Sequence, residues 1–270
     1  MSGSFDGRVA VVTGGTQGLG ETTARLMAER GAAGLVIVGR DAARGDAVAS
    51  KLSAGGCRTV FVAAELGDVD QCRRVIEVAE REFGTVHALA NVAASTDRGT
   101  VWDTTPALWD QMMAVNLRAP FFLLQGAADL MQRTGVAGSI VTVGSVAGEG
   151  GAPNLLPYSV SKGALQAMTK NAAYSLARHH IRVNLLQLGW MNTPAEHRIQ
   201  VDQEGQPEDW LAAAAAAQPF GRLIGTDEAA RAICYLAGDE SGLMTGAVVD
   251  FDQSIVGAGP QPVPGPEVVR

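Results

Sequence analysis

Tyr158 and Lys162 stand four residues apart in a stretch of helical periodicity, so both side chains leave one face of the helix. The chain has only three tyrosines and three lysines in 270 residues. Chance would supply about 0.03 such Tyr-x-x-x-Lys pairs in a chain of this make-up. A phenol with a pKa of about 10, drawn down by a neighbouring ammonium, can give a proton to a carbonyl oxygen or take one from an alcohol. A Tyr-Lys pair on the solvent face of an amphipathic helix is the plainer reading of the same spacing.

A second group of residues points to a phosphate. The first apolar run ends in Thr13-Gly14-Gly15-Thr16-Gln17-Gly18-Leu19-Gly20 and a helical segment follows at once. Glycines in a strand-to-helix turn let backbone N–H groups approach a pyrophosphate at the positive end of the helix. The spacing is Gly14-x-x-x-Gly18-x-Gly20, not the Gly-x-Gly-x-x-Gly of the ordinary dinucleotide fingerprint. The second strand ends in Val38-Gly39-Arg40-Asp41. With Gly39 where a ribose-binding carboxylate normally stands, Arg40 is free to meet a 2′-phosphate, so NADP(H) is favoured over NAD(H). Asp41 keeps the other choice open, because a two-residue shift would restore an acid.

These residues need elements to position them. Short apolar runs lie at Val9–Thr13, Leu35–Val38, Thr59–Ala63, Val86–Asn91, Ser139–Val143, Ile181–Leu186 and Ala247–Phe251, with helical patterns such as Gly20–Arg30, Asp68–Phe83 and Ser159–Arg178 between them. Apolar runs this short read as strands covered on both faces. The alternation predicts an α/β fold: one doubly wound, Rossmann-like parallel sheet of about seven strands, with helices on both faces. Residues 1–257 form the expected catalytic domain, with a lid at about 190–217 that includes an Ala-rich helical run. Residues 258–270 form a Pro-rich tail.

Composition narrows the classes. Apolar residues make up 47% and charged residues 18%, and the formal charge is −7. An acidic chain with no basic run is not expected to bind nucleic acid. No apolar stretch reaches the length of a spanning helix, and MSGSFDGR lacks the layout of a signal peptide, so no membrane association and a cytoplasmic location are expected. Cys57, Cys72 and Cys234 read as buried free thiols, and four scattered histidines make no metal site.

Taken together, these motifs resemble the short-chain dehydrogenase/reductase family over about residues 6–255. The resemblance rests on the glycine turn, Asn91, Asn116 in Val115-Asn116-Leu117, Ser145 thirteen residues before Tyr158, Tyr158-x-x-x-Lys162, Asn184 and Thr193 in Gly189-x-x-x-Thr193. It implies that Tyr158 is the general acid/base and that Lys162 lowers its pKa and holds the nicotinamide ribose. It implies further that Ser145 bonds the substrate oxygen and Asn116 anchors a water in a proton relay. The implied cofactor contacts are Gly14, Thr16, Gln17, Gly18, Leu19, Gly20, Arg40, Glu65, Leu66, Asn91, Ala93, Tyr158, Lys162, Gly189, Met191 and Thr193. Asn116 and Asn184 also have plainer readings, as residues satisfying local backbone.

The chain departs from the family pattern at Ala94, at Leu188 before Gly189, at Glu65 and at Asp252-Gln253-Ser254. Ala94 is expected to crowd the cofactor side slightly, and Leu188 to loosen a rigid turn. Segments 95–100, 149–157 and 190–217 should wall a pocket that mixes Glu149, Asn154, Asn192, Glu196 and His197 with Leu155, Leu156, Trp190 and Met191. A secondary alcohol or ketone is the expected substrate, with a polyol, sugar or cyclic ketone the candidates. The alternatives are a 3-oxoacyl-carrier-protein reductase, docking through Arg118, Arg133 or Arg178, and a nucleotide-binding sensor without chemistry. The family resemblance further implies a homotetramer or a dimer.

Overall fold

The computed structural model describes residues 4–255; the Pro-rich tail lies outside the described residues. Seven parallel strands form a single sheet: β1 (Val9–Thr13), β2 (Gly34–Gly39), β3 (Arg58–Ala63), β4 (Ala88–Asn91), β5 (Ser139–Ser145), β6 (Arg182–Leu188) and β7 (Val248–Phe251). Their order across the sheet is β3-β2-β1-β4-β5-β6-β7. All seven coincide with apolar runs in the sequence to within two residues.

Alternate residues of one strand serve opposite layers. Ala10, Val12, Leu35 and Ile37 pack in one core with helices α1 (Gly18–Glu29), α2 (Ala42–Ala54) and α9 (Thr226–Ala237). Val11, Val36, Val38 and Leu89 pack in the other with α3 (Val69–Phe83), α5 (Ala119–Thr134) and the far end of α6 (Leu156–Leu176). Central strands are therefore buried on both faces, which is why they read as continuous apolar runs. The edge strands differ. Arg58 and Ala63 of β3 are exposed, and β7 is only half-buried, because each has a neighbour on one side alone.

Helix limits follow local chemistry. Asp41 caps α2 by accepting the Arg44 N–H at 3.0 Å, and Thr105 caps α4 (Pro106–Met113) ahead of a proline at the first helical position. Between α4 and α5 lies a π-turn at Ala114–Arg118, which carries Asn116. Insertion 192–222 contains α7 (Pro194–Asp202) and α8 (Trp210–Ala216), the latter formed by the Ala-rich run. Among the described residues no helix is long and apolar enough to cross a membrane, and no cluster of ligating side chains could hold a metal.

The order reverses direction at β1: β2 and β3 extend to one side, β4 to β7 to the other. Crevices for ligands open at the carboxyl ends of strands at such a switch point. Asn184 illustrates a residue with a purely structural part in this frame. Fully buried on β6, it donates to Met244 O at 2.8 Å and accepts the Ala247 N–H at 3.1 Å, clasping the turn that leads into β7. Asn184→Ala removes both bonds, leaving the Ala247 N–H without its partner and Met244 O with only a contact from Arg182 Nη1 at 3.5 Å, at about 1–3 kcal/mol per lost partner. Urea unfolding should show a loss of about 2–4 kcal/mol, while turnover per folded molecule stays unchanged.

Candidate active site

The glycine turn closes onto the start of α1. Gly14 and Gly18 take left-handed φ values of 67° and 54°. A Cβ on Gly20 would lie 2.1 Å from Gly14 O, and one on Gly14 would lie 3.1 Å from Ala93 Cα. Thr13 Oγ1 accepts the N–H groups of Val92 and Ala93 at 2.9 and 3.1 Å, fastening the end of β1 to the loop after β4. Backbone donors of the first turn of α1 therefore face the crevice without intrahelical partners. This cradle fits the pyrophosphate of a dinucleotide, and any side chain at Gly20 would fill it.

At the end of β2 lie the residues between which the sequence left the choice open. A Cβ on Gly39 would fall 2.6 Å from Thr16 Cγ2, so no carboxylate side chain fits there. Asp41 is occupied: one oxygen caps α2 and the other accepts from the Arg44 guanidinium at 3.1 Å. Arg40 reaches outward, 78% exposed, with Glu65 3.8 Å away. Arg44 also donates to Gln17 and lines a pocket of about 470 Å³ with Thr16, Gln17, Lys51, Pro194 and Arg198. Sequence reading missed Arg44, whose partner Gln17 lies in another element. Leu66 is buried beneath this end of the sheet, and the Ala94 methyl is exposed rather than crowded by protein.

Ser145, Tyr158 and Lys162 meet at the carboxyl end of β5. Ser145 is its last residue, and the Ser145 hydroxyl accepts the Ala147 N–H at 3.2 Å. The short turn that follows packs on α6 so closely that a Cβ on Gly148 would lie 2.9 Å from Gly163 N. Lys162 is 2% exposed, donates to Val143 O at 2.7 Å and lies 5.7 Å from the centre of the Tyr158 ring. Burial lowers the Lys162 ammonium to about 8. Burial raises Tyr158, the Ser145 hydroxyl pulls it back, Glu196 raises it again and Arg98 lowers it. The overall direction is upward and Lys162 is not among its causes, so the phenol is protonated at neutral pH and is not drawn down by the lysine as the resemblance implies.

Asn116 sits in the π-turn with both amide hydrogens engaged. Its Oδ1 accepts Ser95 N–H at 2.8 Å, while Nδ2 donates to Ser95 O at 2.8 Å and faces Met112 Sδ at 2.9 Å and Ser161 Oγ at 3.2 Å. The amide therefore ties the pocket wall to α6. Asn91 is buried at the end of β4, and its Oδ1 is without a partner. Gly189 is pinned, not loosened by the leucine before it: its N–H donates to Phe251 O at 3.1 Å, and Asp252 occupies the space of a Cβ. Met191 pairs with Ile224, and Thr193 caps α7 by accepting the Glu196 N–H at 3.1 Å.

The three wall segments do converge. Gly99 N donates to Asn154 O and Leu156 N to Gly99 O, both at 3.0 Å, which sets residues 95–100 beside the start of α6. Arg98, with 18% of its side chain exposed, bonds Glu204 at 2.7 Å and Glu196 at 3.1 Å on the lid. Trp190 stacks on Trp210 with ring centres 5.6 Å apart. The sequence could not single out Arg98, because its partners lie 98 and 106 residues away.

Comparison with known proteins agrees with this geometry. A family model described as enoyl-(acyl carrier protein) reductase matches residues 14–253. The chain is 35% identical to cis-4-hydroxycyclohexanecarboxylate dehydrogenase of Sinomonas cyclohexanicum, covering 93% of this chain and 98% of that one. It is 34% identical to NADP-dependent (R)-specific alcohol dehydrogenase of Lentilactobacillus kefiri, with the same coverage. The chain belongs to the short-chain dehydrogenase/reductase family. As such it is an NAD(P)-dependent oxidoreductase. Among solved structures, L-sorbose reductase from Gluconobacter frateurii, complexed with NADPH and L-sorbose, superposes with a TM-score of 0.87 at 25% identity, covering 96% of this chain and all of that one.

For this short-chain dehydrogenase/reductase the steric fit of the glycine cradle gives a direct test. Gly20→Ala sets a methyl group 2.1 Å from a main-chain oxygen, which no rotamer can relieve. Nicotinamide fluorescence should show cofactor affinity falling at least tenfold, with the circular dichroism of the sheet and helices retained.

Proposed function

We propose that this enzyme interconverts a secondary alcohol and a ketone with NADP(H) as the favoured cofactor. The observation that carries the reading is the meeting of Ser145, Tyr158 and the buried Lys162 at the mouth of the crevice beside the glycine cradle. The cofactor would be held by Gly14, Gly18 and Gly20 at its pyrophosphate and by Lys162, Gly189, Met191 and Thr193 around the nicotinamide end. When bound, it supplies the hydride acceptor or donor. The substrate oxygen would be gripped by the Ser145 hydroxyl, which favours charge developing on that oxygen. Tyr158 gives its proton to that oxygen as a ketone is reduced and removes it as an alcohol is oxidised. Lys162, whose Nζ lies 5.7 Å from the centre of the phenol ring, would bond the nicotinamide ribose.

Support for NADP(H) lies at the end of β2, where Gly39 supplies no acid, Asp41 is spent on a helix cap, and Arg40 is largely exposed and able to meet a 2′-phosphate. The carrier-protein alternative finds less support. Arg133 is paired with Glu80 and Asp129 as an ordinary surface ion pair, while Arg118 donates to Gly67 O and Arg178 contacts His179. Exposed Trp109, Phe121, Val160 and Tyr174 on α4, α5 and α6 support a homotetrameric or dimeric assembly. Burial pushes Cys72 up to about 11 and Cys234 up to about 12, and such unpaired, unreactive thiols support a cytoplasmic location.

Two measurements test the reading. Tyr158→Phe should lower turnover at least a thousandfold in both directions while NADPH binding stays intact. In the wild type, oxidation needs the deprotonated phenol, whose pKa is raised, so alcohol turnover should climb from pH 7 towards 8 and level off as the Lys162 ammonium discharges near 8; a flat profile contradicts the assignment. Arg40→Ala should raise the KM for NADPH about tenfold or more and leave that for NADH nearly unchanged. Equal losses would place Arg40 away from the phosphate.

A further inference from the structure

The pocket rim contains charged groups that the proton chemistry does not use. Arg98 engages all three guanidinium nitrogens: Nε donates to Glu204 Oε1 at 2.7 Å, Nη2 to Glu196 Oε1 at 3.1 Å and Nη1 to Thr96 O at 3.0 Å. Glu196 Oε1 further accepts from Trp190 Nε1 at 2.9 Å and Gln200 Nε2 at 2.8 Å. Glu204 Oε1 accepts from Asn154 Nδ2 at 3.1 Å. Asp97, on the same wall, accepts from the Ser95 hydroxyl at 2.7 Å. One guanidinium therefore faces two carboxylates, with a third acid on the same wall.

The donors crowd onto one oxygen of each glutamate. Among the described residues, no hydrogen bond reaches Glu196 Oε2 or Glu204 Oε2, although their side chains are only 14% and 27% exposed. These two oxygens are thus left to accept from water or from a ligand that enters beside them. Arg98 keeps one N–H on each terminal nitrogen, which suits an acceptor. A hydroxyl group satisfies both needs, since it donates and accepts. A carboxylate satisfies neither glutamate, because it only accepts, and it meets a rim of net negative charge at low exposure, where repulsion is weakly screened. The rim is close to the reacting group: Glu196 and Arg98 both shift the Tyr158 phenol, in opposite directions.

We infer that Arg98, Glu196 and Glu204 form a specificity rim that selects an uncharged, multiply hydroxylated substrate and turns away carboxylates of the same skeleton. The inference rests on the alcohol/ketone reading above and deepens it. It also separates this chain from its relative named for a hydroxycyclohexanecarboxylate. Trp190, stacked on Trp210 and bonded to Glu196, gives the rim an apolar flank suited to the C–H face of a ring or sugar chain.

The experiment compares matched pairs: 1,4-cyclohexanediol with cis-4-hydroxycyclohexanecarboxylate, and sorbitol with gluconate. Turnover with NADP+ is measured in the wild type, and binding by calorimetry in the Tyr158→Phe enzyme loaded with NADPH. The neutral member of at least one pair should bind at least tenfold more tightly and show the lower KM. Glu204→Gln and Glu196→Gln, which keep the shape and remove a charge, should narrow that ratio at least fivefold, mainly through KM. Tighter binding of the carboxylate, equal binding, binding of neither pair, or a ratio unmoved in both variants overturns the inference. Absence of turnover with clear binding of the neutral member sinks the alcohol/ketone reading for these compounds and leaves the specificity rim standing.

Discussion

A buried ammonium must have its charge answered, and at Lys162 the protein answers with the main-chain carbonyl of Val143, 2.7 Å away. That bond joins the second turn of α6 to the last turns of β5 and fixes the height of the helix above the strand end. Ser145 and Tyr158 take their positions from it, one as the final residue of β5 and the other one helical turn before the lysine. The contact between Gly148 and Gly163 holds the same two elements together from the other side. Burial leaves Lys162 at about 8, so part of its positive charge is held at the expense of desolvation. A more exposed lysine would be easier to charge.

Around that fixed point the remaining parts are arranged by clasps between segments distant in sequence. Thr13 fastens the glycine cradle to the loop after β4, and Asn116 fastens the same loop, through Ser95, to α6. Arg98 extends the chain of contacts from that loop to the lid. Cradle, acid/base pair and lid are thereby set by a few polar contacts, each shielded enough from water to hold its geometry. The polar residues do different work in the two layers of the site. Inside, they satisfy one another; at the rim, two carboxylate oxygens are left over.

Much of this was legible in the sequence. Seven apolar runs gave the strands because a parallel sheet covered by helices buries both faces, and Tyr158, Lys162 and the glycine turn were visible because each obeys a short local spacing. The edge strands β3 and β7 were less well described by the same rule, since an edge is exposed where its missing neighbour would be. The π-turn at Ala114–Arg118 left no trace in the periodicity, as one extra residue per turn does not disturb an apolar pattern already spread over several faces.

By itself, then, the sequence determined the α/β architecture, the glycine turn and the Tyr158–Lys162 pair, the last two encoded within a few residues of one another. Tertiary structure alone decided that Asp41 caps a helix, that the amide of Asn116 bonds Ser95 and Ser161, and that Arg98 lies between Glu196 and Glu204. The reason is physical. A side chain's hydrogen bonds depend on which groups the fold brings within about 3 Å, and partners a hundred residues apart in the chain acquire that proximity only when the sheet and its lid have formed.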